Sequence, residues 1–367
     1  MSLLIRVTRN CPWNKCLFCP VYKDSRFAKR DEAEVLREID ILAAAADTVR
    51  RRAGIAGDEN ELPTERVLEV ARDKSASYEE RRVALWMHRG ERQVFLQDAD
   101  SLVRPVRSTL PILQHLYRRF PTVTRVCTYA RSRTLAAKTL QDLRALREAG
   151  LTRIHVGLES GSDAVLALVN KGCNASHHIE GIGRAMDAGF EVCCYVMPGL
   201  GGRALSDIHA DETARVLRIV DPHHVRLRTL FVNEGILLYE KVKRGEMELL
   251  EEHEVVLEIK RLLRGLRGAR GQVVSDHDHN LLLNINGHLT DDADLLEARL
   301  DEFSNLQRSL QDAFIAAKRS GRLSSLSHFL SDDEAGREGQ ALAASLLEIG
   351  KGSLLKGIIA RYSPRLF

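Results

Sequence analysis

Three of the chain's seven cysteines lie close together near the N-terminus and could bind one inorganic centre. Cys11, Cys16 and Cys19 fall within nine residues of the 367-residue sequence. A four-iron cluster normally takes four thiolates, so three would leave one iron open to another ligand. A structural zinc ion would need a fourth protein ligand, usually from a second CxxC pair or a His pair, and the sequence has no second pair of that spacing. On the cysteines alone, an iron–sulfur cluster, a structural zinc clip and chance spacing all stay open.

The other four cysteines show no such grouping. Cys193 and Cys194 are adjacent in a predicted strand, where successive side chains point to opposite faces. Together with Cys127 and Cys173, they are interpreted as ordinary small residues of the core or of loops.

The composition is that of an ordinary soluble globular protein. Apolar residues make up 44% of the chain and charged residues 29%, and the net charge is +3. This balance gives no reason to expect nucleic acid or an anionic membrane as a partner. The longest nearly apolar run, residues 41–46, is too short to cross a bilayer, and Arg6, Arg9 and Asn10 interrupt any signal peptide. We therefore expect a cytoplasmic protein, in which clustered cysteines indicate metal binding before disulfides.

Strands and helices alternate along most of the chain, and this order positions the cysteine loop. Six short apolar segments alternate with stretches of helical periodicity, and this alternation predicts parallel βαβ units. Six units do not close an eight-stranded barrel easily, so the predicted fold class is α/β with a partial (β/α)6 parallel barrel. Its chemistry would lie at the carboxyl ends of the strands, where the cysteine loop follows the first strand. In the fifth unit, Ser206 is predicted to cap a helix that ends at Val220. The predicted strands are 3–7, 93–96, 124–129, 153–158, 190–197 and 224–230.

Two further regions complete the predicted organisation. A helical insert over residues 31–92 follows the first strand, and its second helix is predicted over 64–87. After the barrel, 272–289 reads as an extended segment and the rest as a helical extension. The predicted domains are therefore a barrel over residues 1–270 and a C-terminal segment over 271–367.

The cysteine loop resembles the cluster loop of the radical SAM superfamily. The commonest family motif has three residues between its first two cysteines, whereas this chain has four. A branch similar to oxygen-independent coproporphyrinogen oxidase-like proteins has the pattern CxxNxCxFC, which Asn14 and Phe18 match, with Tyr22 and Lys23 soon after. Five family motifs in the right order are a specific signal although each alone is weak. The other four lie at 157–163 with 169–172, at 199–203 with His209, at 234–239 with Gly245, and at 275–277 with Asn280.

The resemblance implies a [4Fe-4S] cluster held by Cys11, Cys16 and Cys19. Its free iron would bind the amino and carboxylate groups of S-adenosylmethionine, which one electron would cleave to methionine and a 5′-deoxyadenosyl radical. That radical would abstract hydrogen from a small-molecule or other substrate that the sequence does not identify. The cofactor supplies the reactive chemistry, and the protein supplies position and shelter. An electron donor such as flavodoxin or ferredoxin is expected.

The resemblance also implies contacts to S-adenosylmethionine at the strand ends. Asp98 stands where the family usually has a Gly-Gly-Glu-like motif, with Asp100 as the second choice, although this loop could simply cap the next helix. Glu159 would bind the ribose hydroxyls or the ammonium group. Lys171 would bind the carboxylate, or could be a solvated lysine before a glycine turn. The remaining predicted cofactor contacts are Tyr129, Tyr195 and Gly199.

Tyr22 in the cysteine loop and His277 in the last motif are the predicted catalytic residues. His277 and His279 share one face of an extended segment, which raises a metal site as an alternative. Two histidines and an acid fall short of a full ligand set, so substrate contact or acid–base work by His277 is preferred over a metal. A plain loop is an equally open interpretation.

Other functions stay open on the sequence. A radical methylase or a sulfur-inserting enzyme would share the cluster, but sulfur insertion usually needs an auxiliary cluster, for which the other cysteines are too scattered. A non-catalytic heme or iron–sulfur trafficking protein would form little 5′-deoxyadenosine. A zinc-stabilised scaffold would be colourless.

Replacing the clustered cysteines tests the cluster. Protein purified without oxygen should be brown and hold about four irons per chain. Cys11→Ala, Cys16→Ala and Cys19→Ala should each lose the colour and the iron, whereas Cys127→Ala and Cys173→Ala should keep both. Iron analysis and absorption spectra measure this, and zinc in place of iron after anaerobic reconstitution would contradict the assignment.

Overall fold

A mostly parallel β-sheet is the central element of the protein. The computed structural model describes residues 2–55, 64–90, 92–321, 323, 325–331, 337, 340 and 341. Eight strands in this part of the chain form one sheet, in the order β1-β4-β5-β6-β7-β8-β9-β10. Since β1 and β10 are its edges, the sheet is not closed into a barrel. The strands are β1 (Leu3–Arg6), β2 (Thr8–Arg9), β3 (Ala28–Lys29), β4 (Gln93–Gln97), β5 (Arg125–Ala130), β6 (Leu151–Glu159), β7 (Glu191–Val196), β8 (His224–Leu227), β9 (Gln272–Val274) and β10 (Gly287–His288).

The strand pairing confirms the predicted fold class. β1 pairs with β4, β4 with β5, β5 with β6, β7 with β8, and β8 with β9, all in parallel. The six predicted strands correspond to β1 and to β4 through β8. The predicted extended segment contributes β9 and the short β10, which is antiparallel to β9. β2 and β3 form a separate antiparallel pair.

Helices connect the strands as the sequence predicts, with two corrections. The helix predicted over 64–87 is two helices, because Ser77 begins a new one by accepting the Glu80 backbone N–H at 3.1 Å. Ser206 lies inside a helix and donates its hydroxyl to Glu258, so it is not an N-cap. The helices are α1 (Glu32–Arg52), α2 (Thr64–Arg72), α3 (Tyr78–His88), α4 (Leu110–Arg119), α5 (Ser132–Ala136), α6 (Leu140–Glu148), α7 (Asp163–Leu168), α8 (Ala175–Asp187), α9 (Gly202–Val220), α10 (Leu238–Lys243), α11 (Glu252–Gly265), α12 (Ala293–Ser304), α13 (Arg308–Arg319) and α14 (Leu326–Phe329).

Two parts of the predicted organisation have no structural description. Residues 56–63 of the helical insert and 342–367 of the helical extension lie outside the described residues. The predicted domain boundary at residue 270 stays a prediction. Within the described residues, none of the helices combines the length and the apolarity needed to span a bilayer.

The first of two compact units contains the N-terminal half of the sheet. In β1, Leu3 and Ile5 are buried whereas Leu4 and Arg6 are exposed, so one face of the strand meets the core. α1 begins at the N-cap Asp31, whose side chain accepts the Ala33 N–H at 2.8 Å, and buries one apolar stripe. The unit comprises Met1–Asn14, Asp24–Gly157 and Glu180–Val192.

The second compact unit has an apolar cluster beneath the second half of the cysteine loop. Leu17 and Phe18 pack against this cluster. Close packing of α7 and α9 depends on Gly161, where a Cβ would lie 2.3 Å from the Glu212 carbonyl oxygen. The cluster consists of Val165, Val169, Met197, Leu200, Ile236, Leu238 and Met247. The unit comprises Lys15–Lys23, Leu158–Ile179 and Cys193–Phe367.

Candidate active site

In the first unit, two asparagines turn the start of the cysteine loop. Asn10 and Asn14 have left-handed backbones, with φ of 66° and 48°, which asparagine tolerates better than most residues. The Asn14 backbone N–H donates to the Cys11 Sγ at 3.4 Å. The Asn10 side chain donates to the Arg26 carbonyl at 2.6 Å. Asn14 therefore shapes the loop and supplies a donor to the first thiolate, which gives a physical reason for the asparagine between the first two cysteines.

Asp98 follows β4 and is hydrogen-bonded to the same stretch of chain. Its carboxylate accepts the Asn10 N–H at 2.9 Å, next to Cys11, and its own N–H donates to the Thr8 hydroxyl at 3.2 Å. Arg6 Nε lies 3.5 Å from the carboxylate. Asp98 is 8% exposed, so a small part of it can still meet a ligand. The Asp98 carboxylate is therefore hydrogen-bonded to the residue that directly precedes Cys11 in the chain.

Asp100, the second choice, is completely buried. Thr134 donates its hydroxyl to the Asp100 carboxylate at 2.5 Å. Burial raises the pKa of Asp100 to about 6, against the opposing effects of Thr134 and Arg131. Asp98 keeps some exposed surface whereas Asp100 has none, and contact with the cofactor stays a prediction for both residues.

Tyr129 lies on β5 in a group of aromatic rings. Its ring centroid is 4.7 Å from Phe95 and 5.7 Å from His155. Tyr129 is 39% exposed. Its contact with the cofactor stays a prediction.

In the second unit, backbone hydrogen bonds fix the other half of the cysteine loop. The Leu17 N–H donates to the Val169 carbonyl at 2.9 Å, and the Leu17 carbonyl accepts the Leu238 N–H at 2.9 Å. Lys23 Nζ donates to the Cys16 carbonyl at 2.6 Å. These bonds hold Cys16 and Cys19 in a defined turn. Tyr22 is half-buried in the same turn, and its catalytic role stays a prediction.

A buried ion pair joins the end of β6 to the turn after α7. Lys171 Nζ lies 2.9 Å from Glu159 Oε1, and both side chains are almost buried. Glu159 has φ of 64°, a left-handed backbone that is unfavourable for a glutamate and typical of functional sites. The two residues that the sequence assigns to S-adenosylmethionine therefore meet each other. The interpretation of Lys171 as a solvated lysine is wrong, because it is 7% exposed.

Lys171 also lies beside the cysteine loop. Its carbonyl accepts the Cys16 thiol at 4.0 Å, and its Nζ is 5.6 Å from the centre of the Phe18 ring. Burial lowers the pKa of Lys171, but the negative charge of Glu159, with further electrostatic contributions from Cys16 and Cys173, outweighs burial and raises the pKa to about 12. Lys171 is thus a buried, permanently charged cation that contacts both Cys16 and Glu159.

A buried polar network lies beneath the loops that follow β6 and β7. His209 Nδ1 bonds the Ser160 hydroxyl at 2.8 Å, and its Nε2 bonds the Met197 carbonyl at 3.1 Å. Thr213 Oγ1 accepts the Gly161 N–H at 2.8 Å. Burial lowers the pKa of His209 to about 4, so the ring is neutral at pH 7. α9 therefore connects the residue after Glu159 with the end of the next strand.

Glu258 of α11 extends this network to the glycine turn. Its Oε1 accepts the Gly199 N–H at 2.6 Å, and its Oε2 accepts the Ser206 hydroxyl. Gly199 has φ of 85°, which suits glycine. Burial raises the pKa of Glu258 to about 7, against the opposing effects of Ser206 and Gly199. The backbone of Gly199 is thus held by a buried carboxyl group, whereas its contact with the cofactor stays a prediction.

Tyr195 and His277 lie near the ends of β7 and β9. The Tyr195 hydroxyl accepts a hydrogen bond from Arg226 at 2.9 Å. Arg226 binds Asp276 through two further bonds of 2.6 and 2.8 Å. The ring centroids of His277 and His279 are 4.5 Å apart. Tyr195 is therefore linked through Arg226 and Asp276 to the segment that carries His277.

The cysteine thiols fit the cluster that the sequence predicts. All three are free of disulfides and partly exposed. Among the described residues, no three His, Cys, Asp or Glu side chains are grouped to hold a metal ion. Ligands of a single ion must converge on one point, whereas in a four-iron cluster each cysteine binds a different iron. Free thiols are the donor type that a four-iron cluster takes, and the roles of Cys11, Cys16 and Cys19 as its ligands stay a prediction.

Sequence reasoning missed Glu258 and the pairing of Arg226. A signal for Glu258 was present, because it is an acid within the apolar stripe of α11, between Val255 and Ile259. Tyr195, one partner of Arg226, lies on β7, and the other partner, Asp276, follows β9. No local sequence pattern indicates this pairing. His209 was noted only as part of a motif, without its role in the network.

A protein-family model matches more than half of the chain. Residues 5–214 match the model of the radical SAM superfamily. An uncharacterised protein of Methanocaldococcus jannaschii is 29% identical over 103 residues, which are 28% of this chain and 31% of the relative. A tRNA uridine(34) acetyltransferase of Methanocaldococcus infernus is 28% identical over 120 residues, which are 32% of this chain and 22% of the relative. The chain thus matches less than a third of either relative's length.

Two solved structures are similar to part or most of the chain. The archaeal Methanocaldococcus infernus Elp3 has a TM-score of 0.45 and 17% identity, covering 62% of this chain and 58% of that one. Coproporphyrinogen III oxidase from Escherichia coli has a TM-score of 0.41 and 11% identity, covering 98% of this chain and 90% of that one. Because these likenesses are weak, the fold assignment rests on the strand order and the family match.

Glu258→Gln tests the buried network through pH. Burial raises the folded-state pKa of Glu258 to about 7, above the value in the unfolded chain. The protonated side chain therefore stabilises the folded state in full at pH values below the unfolded pKa, and this contribution is lost as the pH rises through 7. The stability of the parent relative to Glu258→Gln should therefore fall between pH 5 and 8, by on the order of 3 kcal/mol. Denaturant unfolding across this range measures the difference.

The same titration has an internal check. His209 has a lowered folded-state pKa, so its contribution is lost as pH falls below about 6.5. Glu258→Gln keeps His209 and should therefore become less stable towards pH 4. A stability difference between parent and variant that does not change with pH would contradict a protonated buried Glu258.

Proposed function

Because the chain belongs to the radical SAM superfamily, we propose that it cleaves S-adenosylmethionine reductively and abstracts hydrogen from a substrate. Its cofactors are those of the superfamily, a [4Fe-4S] cluster and S-adenosylmethionine. When bound, they supply a 5′-deoxyadenosyl radical, formed together with methionine by transfer of one electron. The 5′-deoxyadenosyl radical would take up a hydrogen atom from the substrate and become 5′-deoxyadenosine, which leaves the unpaired electron on the substrate.

The observation that carries this proposal is the buried Lys171 between Cys16 and Glu159. A cation at the end of a parallel strand, beside a cysteine that binds iron, suits the carboxylate of an amino acid that also binds that cluster. Glu159 pairs with Lys171 at 2.9 Å and provides a second polar group for the same ligand. A structural zinc clip would not need a buried ion pair of this kind.

Each residue has a proposed task in this reaction. Cys11, Cys16 and Cys19 bind the cluster. Lys171 holds the methionine carboxylate by a charge-assisted hydrogen bond. Glu159 binds the ribose hydroxyls or the ammonium group. In the first unit, the partly exposed Asp98 is proposed to bind an ammonium group, and Tyr129 a ring. The predicted contacts of Tyr195 and Gly199 belong to the same proposal.

A small molecule is the proposed substrate, with flavodoxin or ferredoxin as electron donor. One relative acts on tRNA, but its match covers 32% of this chain. The 54 basic and 51 acidic residues leave a net charge of +3, which does not favour a polyanion. Methyl transfer and sulfur insertion would also use this cluster and S-adenosylmethionine, sulfur insertion usually with an auxiliary cluster in addition, and the polar network favours neither.

Lys171→Met tests the cofactor site. Loss of one charge-assisted contact should weaken binding of S-adenosylmethionine by about ten- to a hundredfold. Iron content should not change, because Lys171 is not a ligand. Calorimetry on the anaerobically reconstituted protein measures the affinity. The matched control is Lys243→Met, which removes an exposed lysine of the same unit and should bind like the parent.

The activity itself is tested by product analysis. The parent, reconstituted and reduced with dithionite, should convert S-adenosylmethionine to methionine and 5′-deoxyadenosine. Lys171→Met should do so more slowly at low cofactor concentration and recover in part at high concentration. An affinity equal to the parent's would remove Lys171 from the site, and a parent without 5′-deoxyadenosine formation would contradict the proposed function.

A further inference from the structure

The segment after β8 is held rigidly in the second unit. The Arg228 N–H donates to the Val196 carbonyl at 2.9 Å. The N–H and the hydroxyl of Thr229 both donate to Asn280 Oδ1, at 2.8 and 3.0 Å. Asn280 is 1% exposed and donates to the Leu227 carbonyl at 2.9 Å. The backbone that carries Arg228 is therefore fixed on both sides.

This backbone directs Arg228 to the face of the sheet that carries Tyr195. Leu227 and Thr229 are buried, whereas Arg226 and Arg228 are half-exposed. Because successive side chains of an extended chain alternate between faces, Arg228 shares the side of Arg226. Arg226 bonds the Tyr195 hydroxyl on that side.

The two arginines differ in how their charges are matched. Arg226 forms a two-point ion pair with Asp276. Arg228 has no ion pair and no side-chain hydrogen bond to any residue that the structure describes. Its charge nevertheless acts on two nearby histidines, His277 and His279, and lowers the pKa of both in addition to burial. Arg228 is thus a fixed, half-exposed cation at the end of a parallel strand.

The histidines add a hydrogen-bond donor and a ring surface without adding charge. His277 Nδ1 accepts the His279 backbone N–H at 3.1 Å, so the proton of the neutral ring is on Nε2. Burial, and then the charges of His277, Arg228 and Arg319, lower the pKa of His279 to about 4. The His279 ring also lies 5.2 Å from Phe231.

The charged groups around these rings leave Arg228 as the cation available to a ligand. Arg319 is engaged by Glu252 at 2.6 Å and by the His279 carbonyl at 2.9 Å. Asp278 is exposed and raises the pKa of both histidines, against the larger effects of burial and Arg228. A ligand that brings negative charge to Arg228 would therefore be favoured over a neutral or cationic one.

We propose that Arg228 and His277 bind an anionic group of the substrate, a carboxylate or a phosphate. The planar guanidinium presents paired N–H donors that match two oxygens of such a group, and His277 Nε2–H supplies a further donor. Phe231 and His279 provide an apolar and aromatic wall for the adjoining part of the substrate. This inference rests on the proposed function, because it names the class of substrate for the same strand ends.

Equilibrium dialysis of the reconstituted protein with S-adenosylmethionine tests the site. Radiolabelled benzoate and inorganic phosphate are the two probes, measured separately. The parent should bind at least one of them at a single site, and Arg228→Gln should weaken that binding by about tenfold or more. Tighter binding of benzoate would indicate a carboxylate substrate, and tighter binding of phosphate a phosphorylated one.

Two further variants make the result decisive. Arg215→Gln removes an exposed arginine paired with Glu212 and should bind the probes like the parent. Arg228→Lys keeps the charge without the paired donors and should retain part of the binding. Equal probe binding by Arg228→Gln and the parent, or no binding by the parent, would overturn the inference.

The outcome is separable from that of the proposed function. Cleavage of S-adenosylmethionine is measured separately in the parent, in the absence of either probe. If the parent cleaves S-adenosylmethionine but Arg228→Gln binds the probes as tightly as the parent, the inference fails and the proposed function stands. If the probes bind as expected but the parent does not cleave S-adenosylmethionine, the proposed function fails.

Discussion

A buried lysine needs buried negative charge, and this requirement organises the proposed site. Lys171 is 7% exposed and meets Glu159 at 2.9 Å. Removing one partner of such a pair leaves an uncompensated buried charge, which costs about 3–5 kcal/mol. Glu159 also keeps an unfavourable left-handed backbone, and its carbonyl accepts the Met197 N–H at 3.0 Å. The ion pair thus joins the end of β6, the turn after α7 and the cysteine loop at Cys16.

Buried hydrogen bonds hold the other strand ends in the second unit. His209 bonds groups that follow β6 and β7, Glu258 bonds the Gly199 turn, and Asn280 bonds the segment after β8. Buried polar groups are costly unless they are satisfied, so each of these bonds also fixes the position of a loop. Loops held in this way can present polar groups to a ligand in a fixed geometry, which catalysis requires.

The parts of this account that the sequence predicts are those with a local signal. The alternation of strands and helices indicates the mostly parallel sheet, and the cysteine spacing indicates the loop. The motifs assign Glu159 and Lys171 to one cofactor site, but they do not indicate that the two side chains form an ion pair. The N-cap role predicted for Ser206 is wrong, because its hydroxyl bonds Glu258, which is distant in sequence. The hydrogen bond from Thr134 to Asp100 likewise has no local signal. Hydrogen bonds between distant elements leave no periodic trace in a single sequence.

In the proposed function, three cysteines of this chain leave one iron of the cluster open to S-adenosylmethionine. Electron paramagnetic resonance of the anaerobically reconstituted, dithionite-reduced protein tests it most directly. The reduced protein should give the signal of a four-iron cluster, and this signal should change in shape when S-adenosylmethionine is added, because the cofactor becomes a ligand. A signal that stays the same at saturating cofactor would contradict the claim, as would reduced protein that shows no cluster signal.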